Sequence, residues 1–124
     1  MRDIKFRAYV RFLREMHEVR EMFFDKDTVM IEAYPYGLDK DDAPIMQFTG
    51  LRGLGGTDVY EGDIVRFDVI KGNLDHDQYE RDQVGEVRIA PNGVSFGGWR
   101  YGWVCNIEVI GNIHQNPELL EGDK

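Results

Sequence analysis

Hydrophobic and polar residues alternate along much of this chain, and the alternation sets the expected elements. Ile4, Phe6, Ala8 and Val10 fall on one side of an extended segment, and Lys5, Arg7, Tyr9 and Arg11 on the other. That period of two predicts a half-buried strand, because successive side chains of a strand point to opposite faces. Residues 63–69 repeat the pattern most clearly, with Val65, Phe67 and Val69 on one face and Ile64, Arg66 and Asp68 on the other. Residues 84–90 follow with Gly85, Val87 and Ile89 aligned. Pro91-Asn92-Gly93 then predicts a tight turn, since Asn and Gly accept positive φ, and Val94-Ser95-Phe96 starts the return strand. Ile45 to Thr49 and residues 107–113 complete the set of expected strands.

The segment 12–24 admits two readings. Phe12, Leu13, Met16, Val19, Met22 and Phe23 recur at helical spacing. The polar turn Asp25-Lys26-Asp27-Thr28 and the apolar Val29-Met30-Ile31 that follow favour a hairpin whose second strand covers 28–34. Spacing alone leaves both open. Tyr34-Pro35-Tyr36-Gly37 is expected to break regular structure, residues 39–44 to form an acidic loop, and residues 71–83 to form a polar excursion. Near the end, Asn116-Pro117-Glu118 predicts a helix start, with Asn as the N-cap and Pro at the first helical position. Leu119 and Leu120 give the turn an apolar face and Gly122 ends it.

Short strands, glycine corners and one terminal helical turn imply a mainly β fold. The expected architecture is a small SH3-like, partly open β-barrel over residues 45–124, an N-terminal β-rich lobe over 1–44, and a short C-terminal helical turn. With 124 residues, 42% of them hydrophobic and 14 of them glycine, the chain suits one compact β-rich unit.

Charge changes the picture of partners. A net charge of -8 disfavours nucleic acid, whose binding draws on Lys and Arg neutralising phosphates. Lys5, Arg7, Arg11 and Arg14 form the one basic stretch where such binding has a foothold. The single cysteine, Cys105, rules out an intramolecular disulfide and lies next to an apolar run, as a structural thiol does. No run approaches about 20 apolar residues and no signal-peptide pattern opens the chain, which gives a cytoplasmic expectation without a membrane partner.

Four stretches invite a chemical reading. Tyr60-Glu61-Gly62-Asp63 presents two carboxylates at a turn, yet Gly62 and Asp63 are also the residues a tight turn needs. Gly50, Gly53, Gly55 and Gly56 resemble a phosphate cradle in composition only, because the terminal lysine and the following helix are missing. Trp99, Arg100, Tyr101 and Trp103 form an aromatic-cationic run suited to a core wall or a partner contact. Asp75-His76-Asp77 offers metal-ligand types, but His17 and His114 are distant in sequence, so no metal, cofactor or catalytic set is expected.

Three blocks together resemble the YopX-like family of phage and prophage proteins. They are Arg2-Asp3-Ile4-Lys5-Phe6-Arg7-Ala8, then Met46-Gln47-Phe48-Thr49-Gly50-Leu51 with Tyr60-Glu61-Gly62-Asp63-Ile64-Val65, then Ile107-Glu108-Val109-Ile110-Gly111-Asn112-Ile113 with Asn116-Pro117-Glu118-Leu119-Leu120. Departures lie at Tyr9-Val10, in the glycine-rich 52–59 loop and at His114-Gln115. The resemblance implies a β-rich fold and residues 15–34 as a hairpin. It carries no transferable activity. On it, Gly50, Tyr60, Glu61, Gly62 and Asp63 are family-motif residues with a structural role. The expected function is a non-enzymatic binding or protein-interaction module in a bacterial host's cytoplasm, with a protein or a second copy as partner. The alternative is a nucleic-acid-binding or nuclease-like SH3-type barrel.

Overall fold

The computed structural model describes residues 5–23, 28–31, 34–39, 41–72, 77–91, 93–100 and 103–121. The chain divides into two compact units, Met1–Phe48 and Thr49–Lys124. The fold is mainly β, in antiparallel sheets, with one short helix near the C-terminus.

In the first unit, β1 (Phe6–Val10), β2 (Glu15–Phe23), β3 (Thr28–Ile31), β4 (Tyr34–Asp39) and the first half of β5 (Ile45–Arg52) form the sheet order β4-β3-β2-β1-β5. β1 runs antiparallel to β2, with Arg7 opposite Glu18 and Val10 opposite Glu15, and to β5, with Phe6 opposite Gln47. Alternation works as expected: Ala8 and Val10 are fully buried. They pack with Val29, Ile31, Leu38 and Ala43, and Val19 of β2 closes on the same cluster. Residues 15–23 and 28–31 are therefore paired strands and not a helix. The helical spacing was carried partly by Phe12 and Leu13, which lie in the exposed turn between β1 and β2.

Residues 34–39 correct the expectation of a break. β4 pairs with β3, with Val29 opposite Leu38 and Thr28 opposite Asp39. It is the edge strand of its sheet, where a proline without an N–H is tolerated. Gly37 lets the two strands close up, since a Cβ there would lie 2.5 Å from Thr28 Cγ2.

The second unit begins within β5, whose continuation is hydrogen-bonded to β6 (Asp58–Tyr60). β7 (Asp63–Gly72), β8 (Asp77–Ala90), β9 (Gly93–Phe96), β10 (Trp99–Arg100) and β11 (Val104–Asn112) form an antiparallel sheet in the order β10-β9-β8-β7-β11. Val65, Phe67 and Val69 of β7 meet Val59, Val87, Phe96, Val104 and Ile107 in one buried cluster. The predicted hairpin is present, with Ala90 opposite Gly93 and Val87 opposite Phe96. Neither sheet closes on itself among the described residues, and the mainly β fold with its short C-terminal helix is as expected.

The polar segment 71–83 is corrected at residues 71–72 and 77–83, residues 73–76 lying outside the described ones. β7 runs to Gly72 and β8 starts at Asp77, with Lys71 opposite Gln78. Backbone pairing with a neighbouring strand satisfies N–H and C=O groups whatever the side chains, so low hydrophobicity did not prevent a strand here. At the other end, α1 (Glu118–Glu121) follows the Asn116-Pro117 step. Leu119 N–H bonds to Asn116 O at 3.0 Å. The Asn116 side chain, expected to cap that helix, turns back instead: its Oδ1 accepts Asn112 N–H at 3.2 Å. Asn112, buried at the end of β11, accepts the N–H groups of His114 and Gln115 on its own Oδ1. Among the described residues no helix is long and apolar enough to cross a membrane.

Candidate functional site

The Tyr60–Asp63 turn is held by its own hydrogen bonds. Gly62 has φ 90°, a conformation that side chains with a Cβ rarely take. Asp63 is buried, and its Oδ2 accepts the Tyr60 N–H at 2.7 Å, closing the turn on itself. Gly62 then ties β8 to the turn that follows β11: its N–H reaches Val87 O and its carbonyl accepts Ile113 N–H, both at 2.9 Å. Tyr60 is buried and Glu61 half-buried, and the Asp63 carboxylate is engaged inside the turn. Gly50, at φ 89°, lies inside β5 just beyond Thr49, whose hydroxyl donates to Val59 O at 2.7 Å.

The glycine-rich loop also has a packing role. A Cβ at Gly53 would stand 2.6 Å from the Ile107 carbonyl oxygen, so the loop lies directly on β11. The 3-10 turn Leu54–Gly56 that follows is three residues long and leads into β6, not into a helix. Composition suggested a phosphate cradle; backbone contact with β11 accounts for Gly53.

Asp68 was not singled out by its sequence context, yet the sheet converges on it. Between Phe67–Gln83 and Val69–Glu80, β8 places two residues, Arg81 and Asp82, against the single Asp68. Between Cys105–Asp68 and Glu108–Arg66, β11 places Asn106 and Ile107 against the single Phe67. Each bulge contains a non-glycine residue in the left-handed region, Asp82 at φ 56° and Asn106 at φ 54°. Asp and Asn are the types that tolerate it best. The bulges bring three donors to one carboxylate. Oδ2 accepts Asn106 Nδ2 at 2.9 Å and Arg81 Nη1 at 3.0 Å, and Oδ1 accepts Asp82 N–H at 3.0 Å. Asp68 itself is only 8% exposed.

These bonds favour the charged carboxylate. The Asn106 amide, then the Asp82 N–H and the Arg81 guanidinium hold the Asp68 carboxyl below its ordinary value of 3.8, against the opposing effect of burial. A carboxylate so engaged is a clamp on three strands, not a proton donor or acceptor for a substrate. The lowered folded-state value fixes the sign of its pH effect: the stabilisation is present above the unfolded value and is lost as pH falls through the folded one. Asp68→Asn is expected to melt below the wild type near neutral pH, with the gap narrowing as pH drops under about 3.8. Thermal melts of both proteins along a pH series test this. A gap that stays constant into acid would show that the charge is not what binds the clamp.

Beside the clamp, the sheet carries exposed aromatics. Val65, Phe67 and Val69 point into the core, so Asp68 and Ile70 belong to the opposite face of β7. Tyr79 pairs with Ile70, and Val104 with Val69, which puts Trp103 one step before β11 at the level of Ile70. Tyr79 is 41% exposed and Trp103 54%. The Arg81 guanidinium lies 4.5 Å from the Tyr79 ring centre while bonded to Asp68, so the clamp orients the stack.

The predicted run 99–103 is thus split. Trp99 packs against the core cluster, Arg100 is exposed opposite Ser95, Trp103 is exposed, and Tyr101 lies outside the described residues. Asp75 and His76 also lie outside them. Among the described residues no group of three or more His, Cys, Asp or Glu is placed to hold a metal ion. A groove of about 460 Å³ along β8 and β9 is lined by Gly85, Glu86, Arg88, Ser95, Gly98 and Leu120; its charges, Glu86 and Arg88, pair with each other at 3.2 Å.

The fold has a relative among solved structures. The chain is similar to the crystal structure of protein EF1440 from Enterococcus faecalis, with 26% sequence identity and a TM-score of 0.69, covering 97% of this chain and 99% of that one. No curated protein matches it. The profile of the YopX protein family matches residues 5–121, a span that holds both sheets, the Tyr60–Asp63 turn and the Asp68 clamp. The chain belongs to the YopX family.

Proposed function

We propose that this YopX-family chain is a non-enzymatic binding module of a phage or prophage, acting in the cytoplasm of its bacterial host. Its contact surface is the sheet face that carries Tyr79, Arg81 and Trp103. One observation supports this above the rest: Tyr79 stands exposed against an arginine held by a locked carboxylate, and Trp103, just before β11, is exposed as well. Trp, Tyr and Arg are the residue types that dominate binding energy at protein interfaces, where rigid aromatics bury much area at little entropic cost. The acidic balance weighs against phosphate-rich ligands.

The test starts from a host protein that co-purifies with the full chain and is identified by mass spectrometry. Trp103→Ala with Tyr79→Ala is expected to weaken its binding at least about tenfold, with the melting temperature unchanged. Binding that survives both substitutions rejects this face. Aromatics beside Arg81 also suit stacking of single-stranded bases. A salt-steep shift of single-stranded RNA that Trp103→Ala abolishes would replace the protein partner with nucleic acid.

A further inference from the structure

The first unit carries a second surface, unrelated to the sheet face above, and it has both charge signs around an apolar centre. Residues 5–14 hold four cations, Lys5, Arg7, Arg11 and Arg14, and no carboxylate, in a chain whose net charge is -8. The last two flank the tip of the β1–β2 hairpin, Arg11-Phe12-Leu13-Arg14, where all four residues are exposed. Phe12 is 58% exposed and Leu13 37%. Arg14 sits at φ 56°, a left-handed conformation that an arginine rarely takes.

The tip is not isolated. Arg11 N–H bonds to Asp42 O at 3.0 Å, and Arg11 Nε donates to Asp41 O at 2.9 Å. Asp39 in turn fixes that loop, its Oδ1 accepting Asp41 N–H and its carbonyl accepting Asp42 N–H, both at 2.9 Å. Two loops are therefore stitched into one surface, on which Asp41 and Asp42 are exposed next to Arg11.

We infer that this surface is where a second copy of the chain docks, about a twofold axis near Phe12 and Leu13. An interface between identical copies must be complementary to itself, and Arg11 and Arg14 on one loop with Asp41 and Asp42 on the adjoining one meet that condition. Rotated onto itself, it sets Arg11 and Arg14 of one copy against Asp41 and Asp42 of the other and covers the apolar residues of both. A polyanion, whether nucleic acid or lipid headgroups, would meet the two aspartates beside Arg11. The patch is small, so the dimer is concentration-dependent and weakens with salt.

Sedimentation velocity of the full chain over a wide concentration range is the test, with melting temperature as the folding control. The wild type is expected to move from monomer to dimer mass as concentration rises. Phe12→Ser with Leu13→Ser is expected to stay monomeric with an unchanged melt. Arg14→Asp alone, and Asp41→Arg with Asp42→Arg alone, should each be monomeric, while an equimolar mixture of those two variants associates; misfolding cannot produce that rescue. Trp103→Ala should leave the dimer intact, so loss of the sheet-face partner and loss of the dimer are separable results. A wild type that is monomeric throughout, a dimer that survives the Phe12 and Leu13 changes, a mixture that does not associate, or a tip that instead retains DNA or anionic vesicles would overturn the inference.

Discussion

Phe67→Ala is expected to cost about 3–5 kcal/mol, the largest effect of any single truncation considered for this chain. Phe67 is 1% exposed and lies at the centre of the second unit's core, tilted 53° against Phe96 with ring centres 6.1 Å apart. Truncation removes the transfer energy of the ring and leaves a cavity walled by strands. The β7 and β8 backbones around it are fixed by ladder hydrogen bonds, which limits how far the walls can collapse. Domains have only about 5–15 kcal/mol in total, so this change consumes a large share of it. Urea denaturation followed by tryptophan fluorescence measures it, and a loss under about 1 kcal/mol would show that the cluster repacks freely.

What could be read from the sequence was whatever the period of two encodes. Residues 4–10, 63–69, 84–96 and 107–113 announce strands because one face of each must meet a core, and the buried sets Ala8 with Val10 and Val65 with Phe67 and Val69 match that face. The family resemblance added a hairpin over residues 15–34, where spacing alone was ambiguous, and β2 pairs with β3 within it. The turn at Gly62 and Asp63 was legible because its chemistry is local, with donor and acceptor three residues apart.

The clamp was not legible for the opposite reason. Asp68 looked like one more polar residue on a solvent face, and its partners stand 13 and 38 residues away. They reach it only because two bulges shift the register on both sides of β7, and bulges leave little trace in hydrophobic patterning. The nearest available signal was a mid-strand aspartate among Val65, Phe67 and Val69. The exposed pair Tyr79 and Trp103 was half visible: Trp103 stood out as part of an aromatic run, but Tyr79 came from a segment read as a polar excursion. Sheet register, not sequence proximity, puts them at one level.

The β9–β10 turn depends on a close backbone approach, and Gly85→Ala tests it. A Cβ at Gly85 would lie 2.5 Å from Gly97 Cα and 2.8 Å from Gly97 N, with the Phe67 ring 3.5 Å away on another side. The obstacle is backbone, which cannot rotate aside as a flexible side chain would. Gly97 is itself at φ 58°, and its N–H bonds to Glu86 O at 3.0 Å, so the turn is pressed onto β8 by that bond. An added methyl must push the turn outward, stretch the bond and draw Trp99 away from the core it packs against. Overpacking of this kind costs about 1–3 kcal/mol, and a lost backbone hydrogen bond about 1 kcal/mol more. The expected result is a destabilisation of roughly 2–4 kcal/mol with red-shifted tryptophan emission. Gly98→Ala serves as the contrast. A Cβ there meets no atom within 4 Å, so its cost comes only from φ 95°. If both substitutions cost the same, backbone conformation and not close approach explains the glycine pair, and the contact between Gly85 and Gly97 carries no special weight.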